Sequence, residues 1–239
     1  MTSRPATLVK ICGLRTQDTI EAAIAAGADM LGFVFFPKSP RHLGYDVARR
    51  LRESVRGRAE VVALTVDADD ATLDAILESA RPDMLQLHGR ETPDRVAHIR
   101  QRTGLPVMKA VGVSTAQDVA AARAYLAVAD RLLFDAKAPP DARHPGGNGL
   151  AFDWTLLAGL DLPKPFMLSG GLDPGNVAEA LSITRAPGVD VSSGVERSPG
   201  EKDPDRIAAF VAAVRTGAPR GEGPDKATEQ DHRPRPERG

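Results

Sequence analysis

Eight short apolar runs alternate along this chain with eight longer, alanine-rich amphipathic stretches, and that alternation limits the possible fold more than any other feature. The runs, rich in Val, Leu, Ile and Phe, fall at 8–12, 30–35, 61–66, 84–88, 107–111, 131–135, 166–169 and 189–192. A run of this length between turn signals reads as a strand buried on both faces. The intervening stretches, near 16–26, 45–55, 71–80, 93–102, 115–128, 152–160, 174–182 and 204–215, carry the periodicity of helices. Repeated strand–helix units imply a parallel sheet. No glycine-rich dinucleotide fingerprint follows the first strand, so eight regular units predict closure into an α/β barrel of the TIM (β/α)8 kind rather than an open doubly wound sheet.

A length of 239 residues with 42% apolar content suits one such barrel as a single domain, expected over 1–216. From 217 to 239 the composition shifts to Gly, Pro and charge without apolar periodicity, which predicts a disordered tail with no catalytic part. Thirty-one basic and 32 acidic side chains nearly cancel. No broad field therefore draws the molecule to nucleic acid or to an anionic membrane, while small anionic ligands stay open. A single cysteine, Cys12, excludes an intramolecular disulfide, and no apolar stretch has the length of a membrane span or a signal-peptide core. A cytoplasmic protein, monomer or homodimer, is the expectation.

In a (β/α)8 barrel the chemistry lies at the carboxyl ends of the strands. The polar residues found there are Cys12, Arg41, His88, Asp135 and the segments Ser169-Gly170-Gly171 and Ser192-Ser193-Gly194. The last two close strands seven and eight, where such barrels bind phosphate through backbone amides. Gly170, Gly171 and Gly194 would offer unobstructed amides, and the hydroxyls of Ser192 and Ser193 could donate beside them; the alternative is a pair of tight turns. A phosphorylated small molecule is the expected ligand.

Two readings stand for each remaining candidate. Cys12 is either a small buried hydrophobe or, if its neighbours lower its pKa, a thiolate base. Strand alternation places it on the same side as Lys10, inward. Asp135 is a loop-fixing aspartate or a catalytic carboxyl facing Cys12 from the far wall, an arrangement that suits a base and an acid on one substrate. Arg41, in a loop restricted by Pro37 and Pro40, is a solvated arginine or a bidentate carboxylate ligand. His88 is a rim histidine held by hydrogen bonds or a ligand contact; with no second ligand type at metal spacing, no metal site is expected. Lys10 and Asp190 would stand on adjacent first and last strands of a closed barrel and neutralise each other.

Taken together, Val9-Lys10-Ile11-Cys12-Gly13, Phe33-Val34-Phe35-Phe36-Pro37-Lys38-Ser39-Pro40-Arg41, Leu85-Gln86-Leu87-His88-Gly89, Leu133-Phe134-Asp135, Ser169-Gly170-Gly171-Leu172 and Val189-Asp190-Val191-Ser192-Ser193-Gly194-Val195-Glu196 resemble the phosphoribosylanthranilate isomerase family. The resemblance runs from about Val9 to Val214. It implies an Amadori rearrangement in tryptophan biosynthesis that needs no metal or organic cofactor. Cys12 then matches the family's general base and Asp135 its general acid. Arg41 matches the residue that holds the anthranilate carboxylate, and the glycine and serine loops match the phosphate site. One departure is Asn148, where the family carries a hydroxyl residue, which puts hydrogen bonding in that loop in question. Other phosphosugar barrels, an epimerase or indole-glycerol-phosphate synthase, would call for metal ligands or for lysines and glutamates that these strand ends lack. A non-catalytic phosphate-binding barrel would have no use for both Cys12 and Asp135.

Overall fold

The computed structural model describes residues 6–137, 146, 147, 149 and 151–217. Eight parallel strands close on themselves in sequence order: β1 (Leu8–Cys12), β2 (Met30–Phe35), β3 (Glu60–Thr65), β4 (Met84–Leu87), β5 (Val107–Val113), β6 (Arg131–Ala136), β7 (Phe166–Leu168) and β8 (Gly188–Val191). β8 pairs with β1, so that Lys10 stands opposite Asp190 on one side and Met30 on the other. The predicted TIM (β/α)8 barrel is the observed fold. Helices α1 (Gln17–Ala26), α2 (Tyr45–Val55), α3 (Asp70–Ala80), α4 (Pro93–Thr103), α5 (Ala116–Ala121), α6 (Val177–Thr184) and α7 (Pro204–Gly217) surround it.

Alternation along the strands divides the apolar side chains between two cores. One lies between the sheet and its helices and holds the outward residues, Val9, Ile11, Leu31, Phe33 and Phe134 among them. The other fills the barrel itself, where Met30, Met84, Met108 and Met167 pack with Val62, Ala110 and Leu133. Unbranched, polarizable methionine suits that irregular interior. Above this layer come the inward polar residues, and then the cleft.

Local signals explain where the helices begin. Thr16, Asp69, Thr92 and Thr115 each accept a backbone N–H of the first turn through a side-chain oxygen. At the opposite end of the barrel, Asp29, Asp83 and Asp130 accept the amides of Val9, Val61 and Val107. Each aspartate precedes an even-numbered strand and ties down the start of the odd-numbered strand before it, satisfying a buried donor that the ladder leaves over.

Three expected elements differ. The helix predicted over 115–128 stops at Ala121 and tightens into a 3-10 turn, Ala122–Tyr125. That over 152–160 shrinks to the 3-10 turn Trp154–Leu157, because Gly159 takes a left-handed φ of 66° only two residues on. The helix predicted from 174 begins at Val177, since the Asp173 carboxylate accepts the amides of Gly175 and Asn176 and holds them as a turn. Beyond β8 lies an element the sequence did not suggest, a hairpin of β9 (Glu196–Ser198) and β10 (Glu201–Lys202). The predicted tail falls, but for Gly217, outside the described residues, as does Asn148.

Candidate active site

At the carboxyl ends of the strands the structure forms a cleft, open to solvent, whose lining includes Cys12, Arg41, His88, Asp135, Gly170, Gly171, Ser192 and Ser193. Side chains from strands and loops scattered through the sequence thus meet in one place. Gly194 alone of the expected site residues is not part of this lining. A Cβ at Gly194 would stand 1.9 Å from the Leu172 carbonyl oxygen, so glycine is required there by the contact between the loops after β7 and β8.

Cys12 ends β1 and points inward, as does Lys10 two residues earlier. Lys10, fully buried, donates to Asp190 at 2.8 Å, so the two neutralise each other inside the barrel as the closed topology required. Burial pushes the Cys12 thiol above its ordinary pKa, and the Lys10 ammonium opposes that shift. Gly32, the residue opposite on β2, keeps the space for both groups; a Cβ there would stand 2.9 Å from the Cys12 sulfur and 3.1 Å from Lys10 Nζ.

Asp135 faces the cleft from β6. One carboxyl oxygen accepts the Ala136 amide at 2.9 Å, and the other lies 3.2 Å from Nε2 of His88. His88 is therefore placed against the carboxyl group, and its Nδ1 is 3.2 Å from Nε2 of the buried Gln86, which points inward from β4. With the Gln86 amide nitrogen donating to Nδ1, the ring carries its proton on Nε2 and donates to an Asp135 carboxylate. Turned over, the amide would accept from Nδ1–H through Oε1, which has no partner in the first orientation, and Nε2 could accept from a protonated Asp135. The two orientations match the two protonation states of the carboxyl. Gly170, at a φ of 85°, lets the loop after β7 cross close to this point, since a Cβ would meet the Ala136 nitrogen at 2.5 Å.

Two of these residues already have partners within the chain. Arg41 is neither solvated nor a fork awaiting a carboxylate, because its Nε and Nη2 already grip both carboxylate oxygens of Glu196, each at 2.8 Å. What it turns to the cleft is the Nη1 side, next to Gly147. The Ser192 hydroxyl is likewise engaged: it donates to the Cys12 carbonyl at 3.1 Å and accepts from Lys202 at 3.2 Å. Ser192 therefore ties β8 to β1 while still lining the cleft beside Ser193.

Two residues behind this wall were not singled out from sequence. Glu196 and Lys202 lie on the unexpected hairpin, which folds back so that Lys202 Nζ donates to Glu196 at 2.6 Å and to the Ser192 carbonyl at 2.9 Å. Burial pushes the Lys202 pKa down to about 8, while Arg41 and Lys202 hold Glu196 below the usual carboxylate range against its own desolvation. Two cations thus surround one carboxylate, leaving the wall positive below about pH 8. Among the described residues no three His, Cys, Asp or Glu side chains converge as a metal-ligand set would, and no helix is long and apolar enough to cross a membrane.

The profile of the family described as N-(5'phosphoribosyl)anthranilate (PRA) isomerase matches residues 9–213, the whole barrel. The chain belongs to this family. It is similar to the N-(5'-phosphoribosyl)anthranilate isomerases of Rhodopseudomonas palustris strain HaA2 (64% identical over 208 residues, 87% of this chain and 95% of the relative) and Azorhizobium caulinodans (63% over 207 residues, 87% and 91%). Among solved structures, it resembles the phosphoribosyl anthranilate isomerase of Thermotoga maritima, with a TM-score of 0.77 at 34% identity, covering 88% of this chain and 99% of that one. A second isomerase structure, in complex with reduced 1-(o-carboxyphenylamino)-1-deoxyribulose 5-phosphate, gives 0.75 at 33% with the same coverage. Family membership makes this barrel an isomerase of the phosphoribosylanthranilate class.

Proposed function

We propose that the chain converts N-(5-phosphoribosyl)anthranilate to 1-(2-carboxyphenylamino)-1-deoxyribulose 5-phosphate in tryptophan biosynthesis, with Asp135 as general acid and Cys12 as general base. The observation that carries this reading is the presence of a thiol and a carboxyl, from strands well apart around the barrel, in one cleft whose rim also holds the glycine loops after β7 and β8. A ligand with a phosphate at one end and a carboxylate at the other would be fixed by both ends, with its sugar between base and acid. The named complex of the related isomerase holds a compound of that shape.

In the proposed course, Asp135 gives its proton to the furanose ring oxygen, and the ring opens to a Schiff base. His88 positions that carboxyl and, by changing tautomer as the Gln86 amide turns over, fits both its forms. The Cys12 thiolate then takes the proton from C2; the electron pair moves into the enolamine, which tautomerises to the ketone. Gly170, Gly171 and Ser193 hold the phosphate. Gly194 contributes indirectly, by allowing the two loops to touch. Arg41 presents its remaining N–H groups to the anthranilate carboxylate, held in position by Glu196. A cytoplasmic setting and a monomeric or homodimeric state complete the proposal; a Thermotoga maritima relative is described as dimeric.

The test is to incubate the purified chain with phosphoribosylanthranilate generated in place, in buffer freed of metal by a chelator. Loss of the substrate's anthranilate-type fluorescence at an enzymatic rate is expected; fluorescence that stays constant would overturn the proposal.

A further inference from the structure

We propose that Lys10 is a positioning residue for the Cys12 sulfur, its ammonium standing beside Asp190 and the thiol as a counter-ion that makes ionising the sulfur less costly than burial alone would. This rests on the reading of Cys12 as the base. Lys10 is wholly buried, its ammonium donates to the Asp190 carboxylate at 2.8 Å, and its charge opposes the upward push that burial gives the thiol. Both Nζ and the sulfur crowd the point where a Gly32 side chain would begin, which makes them neighbours across an opening that β2 leaves unfilled. Were Lys10 there only to neutralise Asp190, a pair of apolar side chains would serve stability as well or better.

Every charge near the sulfur enters the argument. Lys10 shares its strand, Asp190 comes from β8, and Lys202 comes from β10; on β2 only the uncharged Gly32 and Val34 stand by. Burial opposes ionisation of the thiol, Lys10 and Lys202 favour it, and the negative charge of Asp190 opposes it. As the thiolate takes the substrate proton to become S–H, the ammonium reverts to Asp190 alone. The pair thus acts as a counter-ion whose hold on the sulfur follows the charge on the sulfur.

Because Cys12 is the sole cysteine, its ionisation can be followed directly by ultraviolet thiolate absorbance, with the curve of a Cys12→Ser protein subtracted. In Lys10→Met the titration should move upward by at least about one pH unit, and kcat should fall at least about ten-fold with little change in KM. Asp190→Asn should move the titration downward, since the ammonium then serves the sulfur alone. A purely structural lysine would not produce shifts of opposite sign. Lys10→Met/Asp190→Asn leaves no unpaired buried charge and so guards against a failure to fold; it should titrate above wild type. An unmoved titration in this folded double variant would overturn the proposal. If the titrations move as expected while Lys10→Met keeps full turnover, the hold of Lys10 on the thiol stands, and it is the assignment of Cys12 as base that fails.

Discussion

Replacing Glu196 by Ala tests whether the unexpected hairpin holds the cleft wall together. Its carboxylate accepts from Arg41 Nε and Nη2 at 2.8 Å each, from Lys202 at 2.6 Å and from the Gly200 amide at 3.2 Å. Arg41 and Lys202 are both 5% exposed, so the substitution strands two desolvated cations. Removing one partner of a buried ion pair costs about 3–5 kcal/mol. In a barrel of this length, each kcal/mol lowers Tm by about 2–4 °C, which predicts a fall of about 6–20 °C near pH 7. Lys202 limits that cost because it can release its proton. Its pKa, already down to about 8, drops further once the carboxylate is gone. Near pH 9 the wild-type lysine is mostly neutral already, so less is lost there, by about 1.4 kcal/mol per unit of the further drop. Thermal unfolding followed by circular dichroism at both pH values measures the effect. A fall of less than about 3 °C at neutral pH, or a penalty that grows toward pH 9, would refute the reasoning.

Two further outcomes follow from the same geometry. Lys202 carries its charge below about pH 8 and loses it above. The KM for the anionic substrate should therefore rise as pH passes upward through that value in the wild type, and Lys202→Met should show a higher KM without that rise; a parallel rise in the variant would assign it to another group. Gly194→Ala must push its Cβ against the Leu172 carbonyl, and the loops after β7 and β8, which we propose hold phosphate, should separate. Affinity for inorganic phosphate, measured by calorimetry, should fall at least about ten-fold, and unchanged affinity would show that the loops are independent of each other.

How much of this was legible in the sequence depends on how local each signal is. Strand and helix positions could be read because apolar runs and helical spacing are written within a few residues. Lys10 and Asp190 are 180 residues apart, yet closure of the barrel makes the first and last strands neighbours, so topology alone brought them together. No such rule joins Arg41 to Glu196 across 155 residues. Their pairing depends on a hairpin too short to show periodicity, turned at Gly200 with a φ of 84°. For the same reason Arg41 read as a free fork and Lys202 went unnoticed. His88 and Asp135 were each legible as strand-end residues. Their pairing across two strands was not, because adjacency across the mouth depends on which rotamers the interior allows.

The most direct measurement is the turnover of Cys12→Ala and Asp135→Asn proteins, with circular dichroism confirming that each is folded. If thiol and carboxyl do the proton transfers, each variant should lose at least about 100-fold in kcat. A folded variant that keeps wild-type turnover would contradict the role given to the residue it lacks.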